Sequence, residues 1–561
     1  MDGTEGDRNN DITSGGEDFT SRFLKARIFE VSDPAECSLV RSKPERGAIR
    51  LRIKINFPKA DPVSYKFVLS YDRKLDADAS AWLLPADYRN GILTADIPLT
   101  GLYYKQTHWS VWLHYESEEG DNLIPVELPL RSKLNAMFRM FAPQIAGDGD
   151  EVMFLRRKPN GIVGLVVRNR EDYDSAGFRM KECAAALSYA LLKPFVRRRR
   201  ILLIHEKRYS RASDNGLYLF LHCMKNGAEK KFKRKIYYVI DKNSPDYRKV
   251  SDYEGNVVHA YSLRHLISLL ACTSIASTES RMHDYVWFPA ASILKRYVNR
   301  KRHIFLGHGV LSIKKLPEMF SAQNMRSSLI TCVSENEAAI FRDDLEYSEE
   351  KIAITGYARF DALKDISEGR SEVLIMPSIR ANIFWVTEKE FRMDPYYKVY
   401  TGILNDPALH ETLENNDLWL NFFLHPSIDR FAHLFESGYE RIHVVKAGEE
   451  SLDGLMMRAR LLITDYSSVA WDFLYMGKPI LFFQYDEVDF LEASGSYIDL
   501  AKALPGDRAT DANELIRLLC QYAREGLHLP EKYQQMRLSA FKWFDCGSSE
   551  RIINEIEERA L

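Results

Sequence analysis

Leu461-Leu462-Ile463-Thr464-Asp465-Tyr466-Ser467-Ser468 is an apolar run that ends in an acidic and hydroxyl cluster. Trp471-Asp472-Phe473 and then Lys478-Pro479-Ile480-Leu481-Phe482-Phe483 follow it. A short apolar run bounded by polar residues reads as a buried parallel strand, so two such strands flank a short helix here. In open α/β sheets ligands bind beyond the carboxyl ends of the strands. Two serines at a helix start offer hydroxyls and free N–H groups to an anion such as a diphosphate. Asp and Ser are also preferred helix N-caps whatever the function, so the stretch alone fits either role.

The same rhythm extends in both directions. Strand candidates are Ile201–Ile204, Ile236–Ile240, Val257–Tyr261, Ser274–Ala276, His303–Leu306, Ile330–Val333 and Ile352–Ile354. A second series is Val373–Met376, Leu418–Leu424, His443–Val445, Leu461–Thr464 and Ile480–Phe483, with helical stretches between most of them. This is the alternation of doubly wound parallel sheets. It predicts two Rossmann-like α/β domains facing each other across a cleft, over 171–370 and 371–561, with Asp365–Arg370 between the two series.

Upstream the period changes to two. Ile49, Leu51, Ile53 and Ile55 alternate with Arg50, Arg52, Lys54 and Asn56; Phe67, Leu69 and Tyr71, then Trp109, Val111 and Leu113, then Val126, Leu128 and Leu130 continue the pattern. Turn clusters at Tyr88–Gly91 and Glu118–Asn122 separate them. Residues 24–170 therefore read as an all-β, sandwich-like accessory domain, preceded by a disordered acidic tail over 1–23. Between β and α/β regions, residues 178–200 form an apolar helix ending in Lys193 and Arg197–Arg200. Such a segment fits an anionic membrane surface or a linker helix with a solvated charge run. Lys295, Arg296, Arg300, Lys301 and Arg302 form a second basic run.

The charges nearly cancel, 77 basic against 79 acidic, so no global basicity points to nucleic acid. Seven scattered cysteines without a CxxC pair give neither a zinc site nor a disulfide framework, and fit a reducing cytoplasm. The first residues lack the basic and apolar regions of a signal peptide. No uninterrupted apolar stretch of about 18 residues is present to span a membrane.

Five predicted strand ends carry reactive side chains: Gly307-His308-Gly309, Gly356-Tyr357-Ala358-Arg359-Phe360-Asp361, Pro377-Ser378-Ile379-Arg380, His425-Pro426 and Thr464–Ser468. An imidazole at such a position serves as a general base near neutral pH, and an arginine can pair with phosphate in bidentate fashion. Dinucleotide, Walker A, nucleophile-elbow and HExxH motifs are absent, as is an Asp-x-Asp pair at a strand end. The inventory suits holding a diphosphate and activating a hydroxyl, with no bound metal and no cofactor.

In order and spacing this set resembles the CDP-glycerol glycerophosphotransferase family, the teichoic-acid primases and polymerases of Gram-positive bacteria. The resemblance runs from about Ile201 to Leu561 and includes Glu206 to Gly216 and Asp545-x-Gly547-Ser548-Ser549-Glu550-Arg551. The chain departs from the family at Val310, Ala358 and Ile379, where Thr, Pro and Trp are usual. The resemblance implies a GT-B-type pair of Rossmann-like domains and transfer of a polyol phosphate, glycerol phosphate foremost, from a CDP-glycerol or CDP-ribitol donor. The acceptor it implies is a lipid-linked wall polymer at the cytoplasmic face of the membrane, with CMP released. By the same resemblance His308 is the base on the acceptor hydroxyl, and His425 stabilises the donor phosphates or acts as an acid. Arg359, Arg380, Ser467 and Ser468 bind the diphosphate, Asp465 and Asp472 order that loop, and Gly309, Asp361, Ser378 and Thr464 line the substrate site. The alternatives are a glycosyltransferase of the same fold using a nucleotide sugar, and a non-catalytic wall-polymer binding protein.

Overall fold

The computed structural model describes residues 27–28, 37–45, 48–55, 66–71, 81–99, 108–117, 120–127, 145–146, 151–157, 162–196, 199–286, 292–384, 386–446 and 448–561. The chain divides into two compact units, 1–181 with 288–293, and 182–287 with 294–561. The acidic tail expected over 1–23, together with Leu128, Leu130, Arg197 and Arg198, lies outside the described residues.

The first unit holds an 11-stranded sheet among the described residues. Its strands are β1 (Arg27–Ile28), β2 (Cys37–Glu45), β3 (Ala48–Ile55), β4 (Lys66–Tyr71), β5 (Ala81–Arg89), β6 (Ile92–Pro98), β7 (His108–Ser117), β8 (Gly120–Pro125), β9 (Ile145–Ala146), β10 (Glu151–Arg157) and β11 (Val163–Asn169). Ile49, Leu51, Ile53 and Ile55 are buried on one face of β3 while Arg50, Arg52 and Lys54 face water, as period two requires. Asn90 and Gly91, both in the left-handed region, make the two-residue turn between β5 and β6, the geometry that matches the twist of paired strands. β5 pairs with β4 up to Pro85 and with β6 from Ala86. Hydrogen bonding is thus continuous, where the sequence suggests two separate layers. Even so, buried residues of β2, β3 and β6 share one core with those of β4, β7 and β11.

The second unit holds two sheets. The first contains β12 (Ile201–His205), β13 (Lys235–Ile240), β14 (Val257–His259), β15 (Ser274–Ser277), β16 (Arg302–Phe305), β17 (Leu329–Cys332) and β18 (Ile352–Ile354), in the order 14-13-12-15-16-17-18. The second contains β19 (Glu372–Ile375), β20 (Trp419–Phe423), β21 (Ile442–Val445), β22 (Leu461–Thr464), β23 (Ile480–Phe483) and β24 (Asp507–Ala509), in the order 21-20-19-22-23-24. All pairings in both are parallel. Strands such as β12 and β22 are buried at every residue, because helices cover both faces of a parallel sheet. The architecture is a GT-B-like α/β pair after an N-terminal sheet domain. In each sheet the order reverses beside its first strand, between β12 and β15 and between β19 and β22, and a crevice opens at such a switch point.

Four helices matter below: α1 (Ala176–Val196), α2 (Asn215–Lys225), α3 (Val469–Tyr475) and α4 (Ser548–Glu558). Two boundaries differ from the sequence reading. The division between units falls inside α1, after Lys181, rather than at 170. Helix α4, expected in the second α/β domain, packs Ile552, Ile553 and Ile556 into the core of the first sheet with Leu202, Leu217 and Phe220. The basic runs are also partly committed. Arg200 pairs with Glu557 at 3.0 Å, Lys301 donates to the carbonyls of Leu270 and Cys272, and Arg302 donates to that of Ala560.

Candidate active site

His308 follows β16 in a tight loop built by its neighbours. Gly307 sits at φ +71°, and a Cβ there would lie 2.3 Å from the Tyr357 ring. The Tyr357 hydroxyl donates to Glu337 Oε1 at 2.6 Å and lies 3.2 Å from the Gly309 carbonyl. Glu337 accepts N–H groups from Leu311 and Val333. Burial pushes its carboxyl up to about 7, against the hydrogen bonds from Tyr357, Leu311 and Val333. From this frame the His308 side chain emerges 59% exposed, with Nδ1 2.7 Å from Asp214 Oδ2. A carboxylate on Nδ1 fixes the proton there and leaves the Nε2 lone pair facing outward.

Asp214 caps α2 and is itself buried. Burial opposes its charge, yet Lys207, His308 and Arg359 together hold its carboxyl well below the usual range. The next residue, Asn215, ties three segments together. Its Nδ2 donates to the carbonyls of Leu306 and Gly307, and its Oδ1 accepts the Arg359 N–H. Neither Asp214 nor Asn215 is a sequence candidate. The Asp-Asn-Gly start of an apolar run signals a helix cap, but nothing in the chain signals that the cap reaches a histidine 94 residues away.

His425 follows β20, and its Nδ1 accepts the Ser427 N–H, which leaves the ring proton on Nε2. Burial, then Lys207, His308 and Lys314, push its pKa down to about 4. At neutral pH it is therefore an uncharged donor. The two halves meet here. A Cβ on Gly309 would lie 2.2 Å from Ser468 Oγ, the Trp471 indole N–H donates to Ser312 Oγ at 2.7 Å, and the Tyr497 N–H donates to the Ser312 carbonyl.

Several sequence candidates are placed differently. The sequence reading puts Arg359 on a diphosphate, but the side chain is buried, 2.8 Å from Asp472 and 3.5 Å from Asp214. Burial alone would lower its pKa, yet these two carboxylates raise it. Arg380, given the same role, is bidentate with Asp486, pairs with Asp465 at 2.9 Å and donates to Ser378 Oγ. Both guanidiniums are already neutralised. Asp361 accepts the N–H groups of Ser548 and Ser549 at the start of α4. Thr464 donates to the Met376 carbonyl. Asp465 accepts the Ser378 and Tyr466 N–H groups across the second switch point. These residues brace the crevice. Ser467 and Ser468, half-buried, and the exposed Lys314, which makes no ion pair among the described residues, remain beside it. Among the described residues no three His, Cys, Asp or Glu side chains are grouped to hold a metal.

Two parallel-sheet halves thus carry an Asp-paired imidazole on one side and an uncharged one on the other. Residues 186–558 match the family model described as CDP-Glycerol:Poly(glycerophosphate) glycerophosphotransferase, and the chain belongs to that family. It is 28% identical over 403 residues to the minor teichoic acid biosynthesis protein GgaB of Bacillus subtilis (strain 168), covering 68% of this chain and 43% of that one. It is 24% identical over 249 residues to the teichoic acid glycerol-phosphate primase of the same organism, covering 44% and 60%. The chain thus spans less than two thirds of the length of either relative. A solved structure of the wall teichoic acid polymerase TagF aligns with a TM-score of 0.47 at 17% identity, covering 68% of this chain and 99% of that one.

Two predictions follow from these charges. Removing one partner of a buried ion pair costs about 3–5 kcal/mol, since the other charge stays buried. Arg359→Ala should therefore lower unfolding stability in denaturant by about that much, and Arg359→Lys by less; an unchanged midpoint would contradict the pairing. The second concerns His265, which is fully buried, with a pKa pushed down to about 3 by burial and His205. Its unfolded form takes up a proton near pH 6.5 and its folded form only near 3. It therefore costs no stability above about 6.5 and an increasing amount as pH falls through that window. The loss of stability from pH 6.5 to 4 should be smaller in His265→Gln than in wild type, measured by thermal melts.

Proposed function

We propose that this chain transfers a polyol phosphate, glycerol phosphate foremost, from a CDP-activated donor to a hydroxyl of a membrane-lipid-linked acceptor, releasing CMP, in teichoic-acid or related wall-polymer synthesis. The observation that carries the reading is the Asp214–His308 dyad opposite an uncharged His425, in a chain of the glycerophosphotransferase family. The acceptor hydroxyl gives its proton to His308 Nε2 as its oxygen attacks the β-phosphorus. The bond from that phosphorus to the bridging oxygen breaks, and the electron pair leaves on CMP. Asp214 keeps the Nδ1 proton in place and stabilises the imidazolium. His425 donates its Nε2–H to a phosphate oxygen. Ser467, Ser468 and Lys314 hold the diphosphate, while Arg359, Asp472, Arg380 and Asp465 shape the crevice without touching it. Phosphoryl transfer is catalysed chiefly by positioning and charge stabilisation, which this division of labour supplies.

For the lipid-linked acceptor, the attachment surface we favour is α1. Leu187, Leu191 and Phe195 are 69–79% exposed and recur at helical spacing on one face, with Lys193 on the opposite face of the same helix. No helix among the described residues is long and apolar enough to cross a membrane. An apolar stripe of this kind suits the plane of a cytoplasmic leaflet.

The direct test supplies CDP-glycerol, CDP-ribitol or UDP-sugars with a lipid-linked acceptor. CMP should appear with a CDP-polyol, and UDP release without CMP would replace the reading with a glycosyltransferase. His308→Ala should slow CMP release by about 10²–10⁴, and Asp214→Asn comparably, with donor binding retained by calorimetry. A rate within threefold of wild type would remove His308 from the base role. For attachment, Leu187→Asp with Leu191→Asp should reduce cosedimentation with phosphatidylglycerol vesicles several-fold, and unchanged cosedimentation would move the anchor elsewhere.

A further inference from the structure

Beyond β12 the backbone does something unusual. Lys207, Arg208 and Tyr209 take φ of +47°, +49° and +69°. Left-handed backbone is disfavoured for residues bearing a Cβ and normally occurs singly. Three in succession persist only where the surroundings over-determine them, and such strain gathers at functional sites.

The turn is clamped on both sides. Glu206 is wholly buried and accepts the N–H groups of Ser213, Asp214 and Leu217. Tyr209 is buried against His205 and His265, and its hydroxyl donates to the Asp284 carbonyl. Its own carbonyl accepts the Asp241 N–H, and the Arg208 N–H donates to Glu279 Oε2. The side chain released by this arrangement is Lys207. Its Nζ lies 3.5 Å from Asp214 Oδ2, the oxygen 2.7 Å from His308 Nδ1. Its charge also reaches His425. Lys207 therefore lies beside the Asp214–His308 pair, with its charge felt at His425.

We propose that the left-handed turn exists to present Lys207 as the cation that contacts the phosphoryl group in transfer. This rests on the reading of the cleft given above. As the acceptor oxygen bonds to the β-phosphorus and the bond to the bridging oxygen breaks, negative charge sits on the equatorial oxygens. The ammonium beside His308 neutralises it, with no proton changing hands at Lys207. Arg359 and Arg380 are each held between two carboxylates, whereas Lys207 has one at 3.5 Å and a side chain 35% exposed, so its ammonium keeps donors free.

The rival role for Lys207 is to act through Asp214 on His308. The two roles separate in the pH profile. An indirect role, exerted through Asp214, shifts the acid limb of kcat/KM to higher pH and restores the wild-type plateau above it. Direct contact lowers the plateau itself. Lys207→Met should lower the plateau kcat for CMP release from the accepted CDP-polyol by about 10²-fold, the loss typical of one transition-state donor. Lys207→Arg should recover part of it, and both variants should melt within about 1 °C of wild type. A plateau within threefold of wild type overturns the proposal, as does a Lys207→Met loss matched by unfolding. If wild type releases no CMP from either CDP-polyol, the reading of the cleft fails. If wild type does and Lys207→Met equals it, only the role of Lys207 fails.

Discussion

A single guanidinium holds the active cleft together. Arg359 leaves the end of the first parallel sheet and is buried between Asp214, which caps a helix of the same half, and Asp472, on α3 of the other half. A buried charge is tolerated only where partners repay its desolvation, so the two halves must meet for this residue to be satisfied. Asp214 is also the carboxylate on His308. The orientation of the His308 ring and one contact between the two α/β halves therefore share a single cation. Water-exposed ion pairs could not impose this, since screening and side-chain entropy leave them close to neutral in energy.

The rest of the cleft follows from that anchor. Asn215 fixes the loop before His308 and the backbone of Arg359 together. Gly309 lets Ser468 approach to a distance that no side chain would permit. His425 is kept neutral by burial and by the cations around it. The second switch point repeats the logic with Arg380, Asp465 and Asp486. In both halves an arginine beside the crevice is held by two carboxylates.

The parallel sheets were legible because buried strands are continuous apolar runs. All twelve α/β strand candidates appear, displaced by no more than two residues at an end. The thirteenth, β24, was not, because Asp507-Arg508-Ala509 at a sheet edge carries no apolar run. The places of His308 and His425 just beyond strand ends were legible from the apolar runs that precede them. The carboxylate partners of Arg359 and Arg380 were not, because a guanidinium reads alike in sequence whether it faces phosphate or a buried carboxylate. Asp214 and Lys207 were missed for a related reason. Their significance lies in contacts to residues far away in the chain, and Lys207 owes its position to a backbone conformation that no local propensity announces.

The placement of α4 has a consequence for how the molecule is made. Ile552, Ile553 and Ile556 complete the apolar face laid down by Leu202, Leu217 and Phe220, yet they are synthesised after the whole second half. During translation the first sheet must wait with part of its core uncovered, since chain contacts of such separation form late. Exposed apolar surface of this kind is what chaperones bind. The first α/β sheet is thus completed by a helix made after the sheet that follows it.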